Sequence, residues 1–303
     1  MRTPVKLSLY GACLVVAFGA SLGAGRAVGP SEEPAGQTAA QKADAAHGAS
    51  EGDAHGATEG DTDAETHGGA TADHLPGGLQ VTEAGYRLAP ETTALTPGAA
   101  TEFRFRILGP DGNPVTGYTQ THERDLHLIV VRRDLSGFQH VHPTRAADGL
   151  WSIPLTVAQA GQYRVFADFQ PAGRAEPLTL GIDVPAAGTY QPREPTTEHG
   201  HSTDVDGYHV ELGGHLEPGK ASTLTMRITR GGAPVTDLQP YLGALGHLVA
   251  LRDGDLAYLH VHPNSGPELS FTVEVPSSGT YGLFLDFRHG DTVHTATFTA
   301  STS

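Results

Sequence analysis

Cysteine is almost absent from this chain of 303 residues: Cys13 is the only one. The chain after it therefore has no disulfide and no thiolate ligand. Methionine is nearly as scarce, with Met226 the only one beyond Met1, which removes the thioether donors that favour a Cu+ site. Lysine occurs only at Lys6, Lys42 and Lys220, and 34 acidic residues against 19 basic ones leave a formal charge of −15. Phosphate binding needs a basic surface, so this balance excludes nucleic acid as the expected partner and suits cations or plain solubility. Nucleophile elbows, phosphate-binding loops and general-base motifs are lacking. Three histidines with an open position would suit catalytic zinc, but without those partners the chain is expected to be no enzyme.

Apolar residues run continuously in one place. Arg2 and Lys6 precede an uncharged stretch from Leu7 to Gly25, closed by Arg26, close to the ~20 residues that span a bilayer core. Positive charge before it and acidic chain after it place the bulk of the protein outside the cytoplasm. Residues 1–28 are read as a single-pass anchor in the cell membrane; cleavage near Gly25-Arg26-Ala27 as a signal peptide, giving a secreted protein, is the alternative. Residues 29–75 are Ala, Gly, Thr, Glu, Asp and His with almost no large apolar side chain, the composition of a disordered tether. His47, His55, His67 and His74 fall within it at irregular spacing.

The rest of the chain is a duplication. His127 is followed 13 residues later by His140-Val141-His142-Pro143, and His247 at the same distance by His260-Val261-His262-Pro263. Pro114-Val115-Thr116 and Pro234-Val235-Thr236 stand 13 residues before the first histidine of each copy, and Gly161-Gln162-Tyr163 with Asp168 is matched by Gly279-Thr280-Tyr281 with Asp286. Repeat 1 is assigned to residues 76–187, a linker to 188–206 and repeat 2 to 207–303. Phe103, Phe105 and Ile107 alternate as in a half-buried strand, as do Leu224, Met226 and Ile228. Short strands with turn signals every ten residues or so predict an all-β fold of two tandem immunoglobulin-like sandwiches, and the Gly-x-Tyr sequences resemble the corner tyrosine of such folds, its phenol oxygen tying a loop to the sheet.

Residues two apart in a strand share a face, so His140 and His142 lie side by side, as do His260 and His262. A turn centred on Arg133-Asp134 sets His127 opposite His140; a loop two residues longer sets it opposite His142. Asp253-Gly254, a good two-residue turn, sets His247 opposite His260. Clustered imidazoles suit Zn2+, Cu2+ or Ni2+, with Cu2+ or Zn2+ the better choice. Asp168 and Asp286, in otherwise apolar strands, would bind the metal, orient a histidine by accepting its second N–H, or pair with Arg132 or Arg252. The candidate metal residues are thus His127, His140, His142, Asp168, His247, His260, His262 and Asp286. Histidines that only tie a strand end to a loop are the structural alternative.

The stretches HLIVVRRDLSGFQHVHP and YLGALGHLVALRDGDLAYLHVHP resemble a group of uncharacterised exported actinobacterial proteins, and more loosely bacterial extracytoplasmic β-sandwich domains of the YtkA and CopC-like kind. The second resemblance implies envelope metal handling with the two histidine triplets as ligands, although the N-terminal histidine of CopC-type carriers has no counterpart here. Two functions follow as expectations. One is a membrane-tethered, non-catalytic protein that buffers Cu2+ or Zn2+ or delivers it to an envelope metal-handling partner. The other is a structural or interaction module with architectural histidines.

Overall fold

Strict alternation in the sequence becomes strict alternation of burial. Phe103, Phe105 and Ile107 are fully buried on the inner face of the strand Ala100–Leu108, and Leu224, Met226 and Ile228 are buried in the same way on Ala221–Arg230. The computed structural model describes residues 75–193, 200–259, 261–266 and 268–303; the expected anchor and nearly all of the tether lie outside them. Every regular element among the described residues is a strand. The fold is all-β, two tandem immunoglobulin-like sandwiches that belong to one unit, Gly69–Ser303.

In repeat 1 one sheet runs Thr82–Glu83, Tyr86–Pro90, Ala100–Leu108, Leu150–Thr156, Thr144–Arg145, and the other Leu178–Ala186, Gly161–Pro171, Leu126–Arg132, Gln139–Val141. Repeat 2 has the same order, with Ser202–Val205, Tyr208–Gly213, Ala221–Arg230, Ser270–Glu274, Val261–Pro263 facing Tyr258–Leu259, Gly246–Arg252, Thr280–His289, Thr292–Ser301. The strand Ser202–Val205 shows that repeat 2 begins inside the segment read as linker. Each sandwich closes over its own apolar core. The corner tyrosines act as expected: Tyr163 Oη donates to the Gln159 carbonyl (2.8 Å) and Tyr281 Oη to the Ser277 carbonyl (2.7 Å).

A third core joins the repeats. The central strands Leu126–Arg132 and Gly246–Arg252 do not alternate; all but Arg252 are buried, because both faces are covered. One face looks into its own sandwich. The other carries Ile129 and Val131, or Val249 and Leu251, into a cluster with Phe166, Leu256 and Phe284. Phe138 stacks on Phe284 of the other repeat with centroids 4.0 Å apart, and Phe166 packs on Tyr258 at 5.6 Å. Phe138 and Tyr258 hold equivalent positions, as do Phe166 and Phe284, so the two contacts are the same contact made twice. This is the self-complementary geometry of a two-fold interface within one chain.

A short strap crosses the seam. The Gly77 carbonyl accepts the Tyr258 N–H (2.9 Å) from repeat 2, while Gly78 N–H donates to the Thr179 carbonyl (2.7 Å) and Gly181 N–H to the Gln80 carbonyl (2.8 Å) in repeat 1. Two glycines make this approach possible. Gly78 has φ +73° and a Cβ there would lie 2.4 Å from the Phe166 ring, while a Cβ on Gly181 would lie 2.0 Å from the Gly78 oxygen. Arg164 secures the same oxygen through Nη2 and Nε.

Candidate metal centre at the seam

Pairing of Leu128 with Val141 and of Ile129 with His140 sets His127 opposite His142, the longer of the two registers expected. The loop is longer because a buried ion pair fills it. Arg132 is 2 % exposed and holds the Asp134 carboxylate through Nε (2.9 Å) and Nη2 (2.6 Å). Repeat 2 departs from its expected turn around a matching but more exposed ion pair. Arg252 takes Asp255 in a fork, Ala250 pairs with Leu259, and the loop spans residues 253–256 instead of turning on Asp253-Gly254. The arginines offered as partners for Asp168 and Asp286 are thus occupied elsewhere.

All three histidines of repeat 1 share the seam-facing side, and their ligand nitrogens lie within 4.8 Å of one another. His127 Nδ1 is 3.0 Å from His140 Nε2 and 3.2 Å from His142 Nε2. Hydrogen bonds orient two of the rings. His127 Nε2 faces the Thr121 carbonyl at 2.9 Å; a carbonyl only accepts, so the proton is on Nε2 and Nδ1 carries a lone pair. His140 Nδ1 faces Asp286 Oδ2 at 2.8 Å, with both side chains buried, so Nδ1 bears a proton turned to the carboxylate and Nε2 is turned to the cluster. The His127 Nδ1 lone pair therefore meets His140 Nε2 across 3.0 Å. Nitrogens bound to one tetrahedral Zn2+ at 2.0–2.1 Å stand roughly 3.3 Å apart, so an ion fits with little movement.

Asp286 does the work that had been expected within one repeat, but across the seam. Its Oδ1 accepts the Thr295 hydroxyl (2.6 Å) while Oδ2 orients His140 of repeat 1. In this arrangement its carboxylate positions His140. Asp168, paired with His127 in the sheet register, accepts the Thr179 hydroxyl (2.9 Å) and lines a cavity of about 50 Å³ beside the cluster. His122 and His247 line the same cavity, with ring centroids 5.0 Å apart.

His247 copies the His127 arrangement, its Nε2 facing the carbonyls of Tyr241 (2.9 Å) and Leu242 (3.2 Å). His262 does not join it. The chain leaves the seam sheet after Leu259, and His262 pairs with Thr272 in the opposite sheet, where it is exposed. The connection from Pro263 to Leu269 is two residues shorter than that from Pro143 to Trp151, so repeat 2 must cross between sheets earlier. His260 lies outside the described residues. Among the described residues, only repeat 1 forms a three-histidine group.

His122 was invisible in the sequence because Leu242 stands at its place in repeat 2. It sits with Glu123 in a two-residue turn closed by Thr121 and Arg124, both central residues having positive φ (48° and 63°). This left-handed pair, unusual without glycine, aims the Thr121 carbonyl at His127.

Burial pushes the His127 imidazole down to about 3, with His140 and His142 adding to the shift against the Thr121 hydrogen bond. Burial likewise lowers His142 to about 4, helped by His140 and Arg124, and His247 to about 4, helped by His122 and His140. All three stay neutral in the fold at pH 5, whereas in the unfolded chain they take up protons below about 6.5. The unfolded state then binds more protons, so stability is complete above pH 6.5 and is lost as pH falls towards 4. For the metal-free chain, urea midpoints at pH 7 and pH 5 should differ by the equivalent of about 2 kcal/mol for each fully shielded histidine. Equal midpoints would show that these rings are not held neutral.

Residues 80–188 and 203–303 each match the family described as Domain of unknown function (DUF8832). The chain belongs to this family, in two copies. No curated protein matches it. Similar solved structures include FdeC, an Escherichia coli adhesin, at 16% identity over 76% of this chain and 66% of that one, with a TM-score of 0.24. Invasin, a bacterial integrin-binding protein, is 12% identical over 72% of this chain and 39% of its own, at a TM-score of 0.21. The D0-D1 domain of intimin is 9% identical over 71% and 97%, at 0.20. The DUF8832 pair is a tandem immunoglobulin-like module with a partly buried three-histidine cluster at its seam.

Proposed function

We propose that this chain is a non-catalytic structural and interaction module that holds a divalent transition-metal ion, Cu2+ or Zn2+, at the seam between its repeats. The convergence of three imidazoles, with His127 Nδ1 3.0 Å from His140 Nε2 and 3.2 Å from His142 Nε2, supports the metal. His127, His140 and His142 would be the ligands, with the neighbouring cavity as the open position. Borderline nitrogen donors without sulfur favour these ions. Buffering or delivery of metal outside a cell membrane, to an envelope metal-handling protein, is the wider role that this site would serve.

One observation favours purely architectural histidines. The His142 tautomer is not fixed by any partner among the described residues, and its Nε2–H can donate to His127 Nδ1 without an ion. Titration of the full chain with Cu2+ and Zn2+ in a weakly competing buffer, beside a folded His127→Ala/His140→Ala/His142→Ala variant, separates the two. Loss of one tight equivalent in the variant is expected. Identical isotherms would leave the interaction module standing and make the cluster a hydrogen-bonded tie.

A further inference from the structure

The two repeats differ most at one end of the sandwich. In repeat 1 that end is plugged by aromatic side chains: Trp151 stacks over Phe105 (6.3 Å, 10°) and meets Tyr118 edge-on (5.3 Å, 77°). Trp151 Nε1 donates to Tyr118 Oη (3.2 Å), and the Arg145 guanidinium covers both rings at 5.3 and 5.6 Å while reaching Asp125.

Repeat 2 keeps the backbone and loses the plug. Phe105 pairs with Trp151 in repeat 1; Met226 N–H donates to the Leu269 carbonyl (2.8 Å) at the same place in repeat 2. Leu238 and Leu245 follow Pro234 at the spacing of Tyr118 and Asp125 after Pro114, and Ser265 stands where Arg145 would be. The consequence is a half-open cavity of about 800 Å³ lined by Met226, Leu238, Leu245 and Leu269, with Glu211 and Glu268 at its edge. That volume is that of small-molecule sites, and the lining mixes these apolar side chains with polar ones, Arg227 and Thr236 among them.

We propose that repeat 2 binds a small aromatic molecule in the space that repeat 1 fills with its own Trp151. An internal copy shows which chemistry this position accepts: a flat ring system packed edge and face between side chains of the two sheets. Glu211 and Glu268 outnumber Arg227 in the lining, and within a chain of net charge −15 this balance disfavours an anionic ring. The site is independent of the metal cluster.

Met226 provides a local reporter, since Met1 is the only other methionine. In the full chain labelled at its methionine methyls, indole should move the Met226 resonance saturably, half-saturating at roughly millimolar concentration for a ligand of this size. Leu269→Trp, which installs the plug of repeat 1, should abolish the shift, and Leu238→Tyr should weaken it if the first variant folds poorly. No saturable shift at roughly ten times that concentration overturns the proposal, as does a shift that survives both substitutions. Movement with a tryptophan-containing peptide but not with indole also overturns it, since the pocket would then serve a partner chain.

Discussion

Asp286→Asn is expected to weaken metal binding by about 10- to 100-fold, the usual cost of removing the carboxylate behind a ligating histidine, although all three proposed ligands belong to the other repeat. The carboxylate orients His140 and keeps its Nε2 turned to the cluster through a 2.8 Å bond between two buried groups. Asparagine keeps the size but offers a neutral acceptor, and its amide must also face the Thr295 hydroxyl. Competition against a chromophoric chelator reads the change directly. An unchanged affinity would mean that repeat 1 holds the ion unaided and that the crossing bond is only adhesive.

Phe284→Ala should cost about 3–5 kcal/mol in denaturant unfolding, the range for truncating a buried aromatic ring. Phe284 is 1 % exposed and lies face to face with Phe138, two residues before His140. The same substitution should impair metal binding, because Asp286 follows Phe284 on the same face of one strand. Unfolding within about 1 kcal/mol of the unsubstituted chain would show that the repeats do not depend on this seam.

Much of this was legible in the residues. The duplicated spacing, the alternating strands and the corner tyrosines yielded the two sandwiches, and period two put His127, His140 and His142 on one face. Register was harder, because Asp253-Gly254 has the composition of a tight turn while the fold answers to the Arg252–Asp255 pair. The seam does leave a signal in the sequence. Leu126 to Val131 and Leu248 to Leu251 are unbroken apolar runs apart from one histidine, and such runs belong to strands covered on both faces. What no local pattern conveys is that Asp286 serves a histidine 146 positions away. Nor does the repeat itself reveal that a loop shorter by two residues carries His262 out of its group.

The strap at Gly77–Gln80 gives the chain a mechanical order of events. Tension reaching the sandwiches through the segment before residue 75 is borne first by hydrogen bonds to Tyr258 in one repeat and to Thr179 and Gly181 in the other. The strap must peel from both before any sheet is loaded, and its release also strips the Gly78 oxygen from Arg164. A pull from that end would therefore break the backbone bonds of the strap first, while the Phe138–Phe284 stack and the His140–Asp286 bond still tie the sandwiches together.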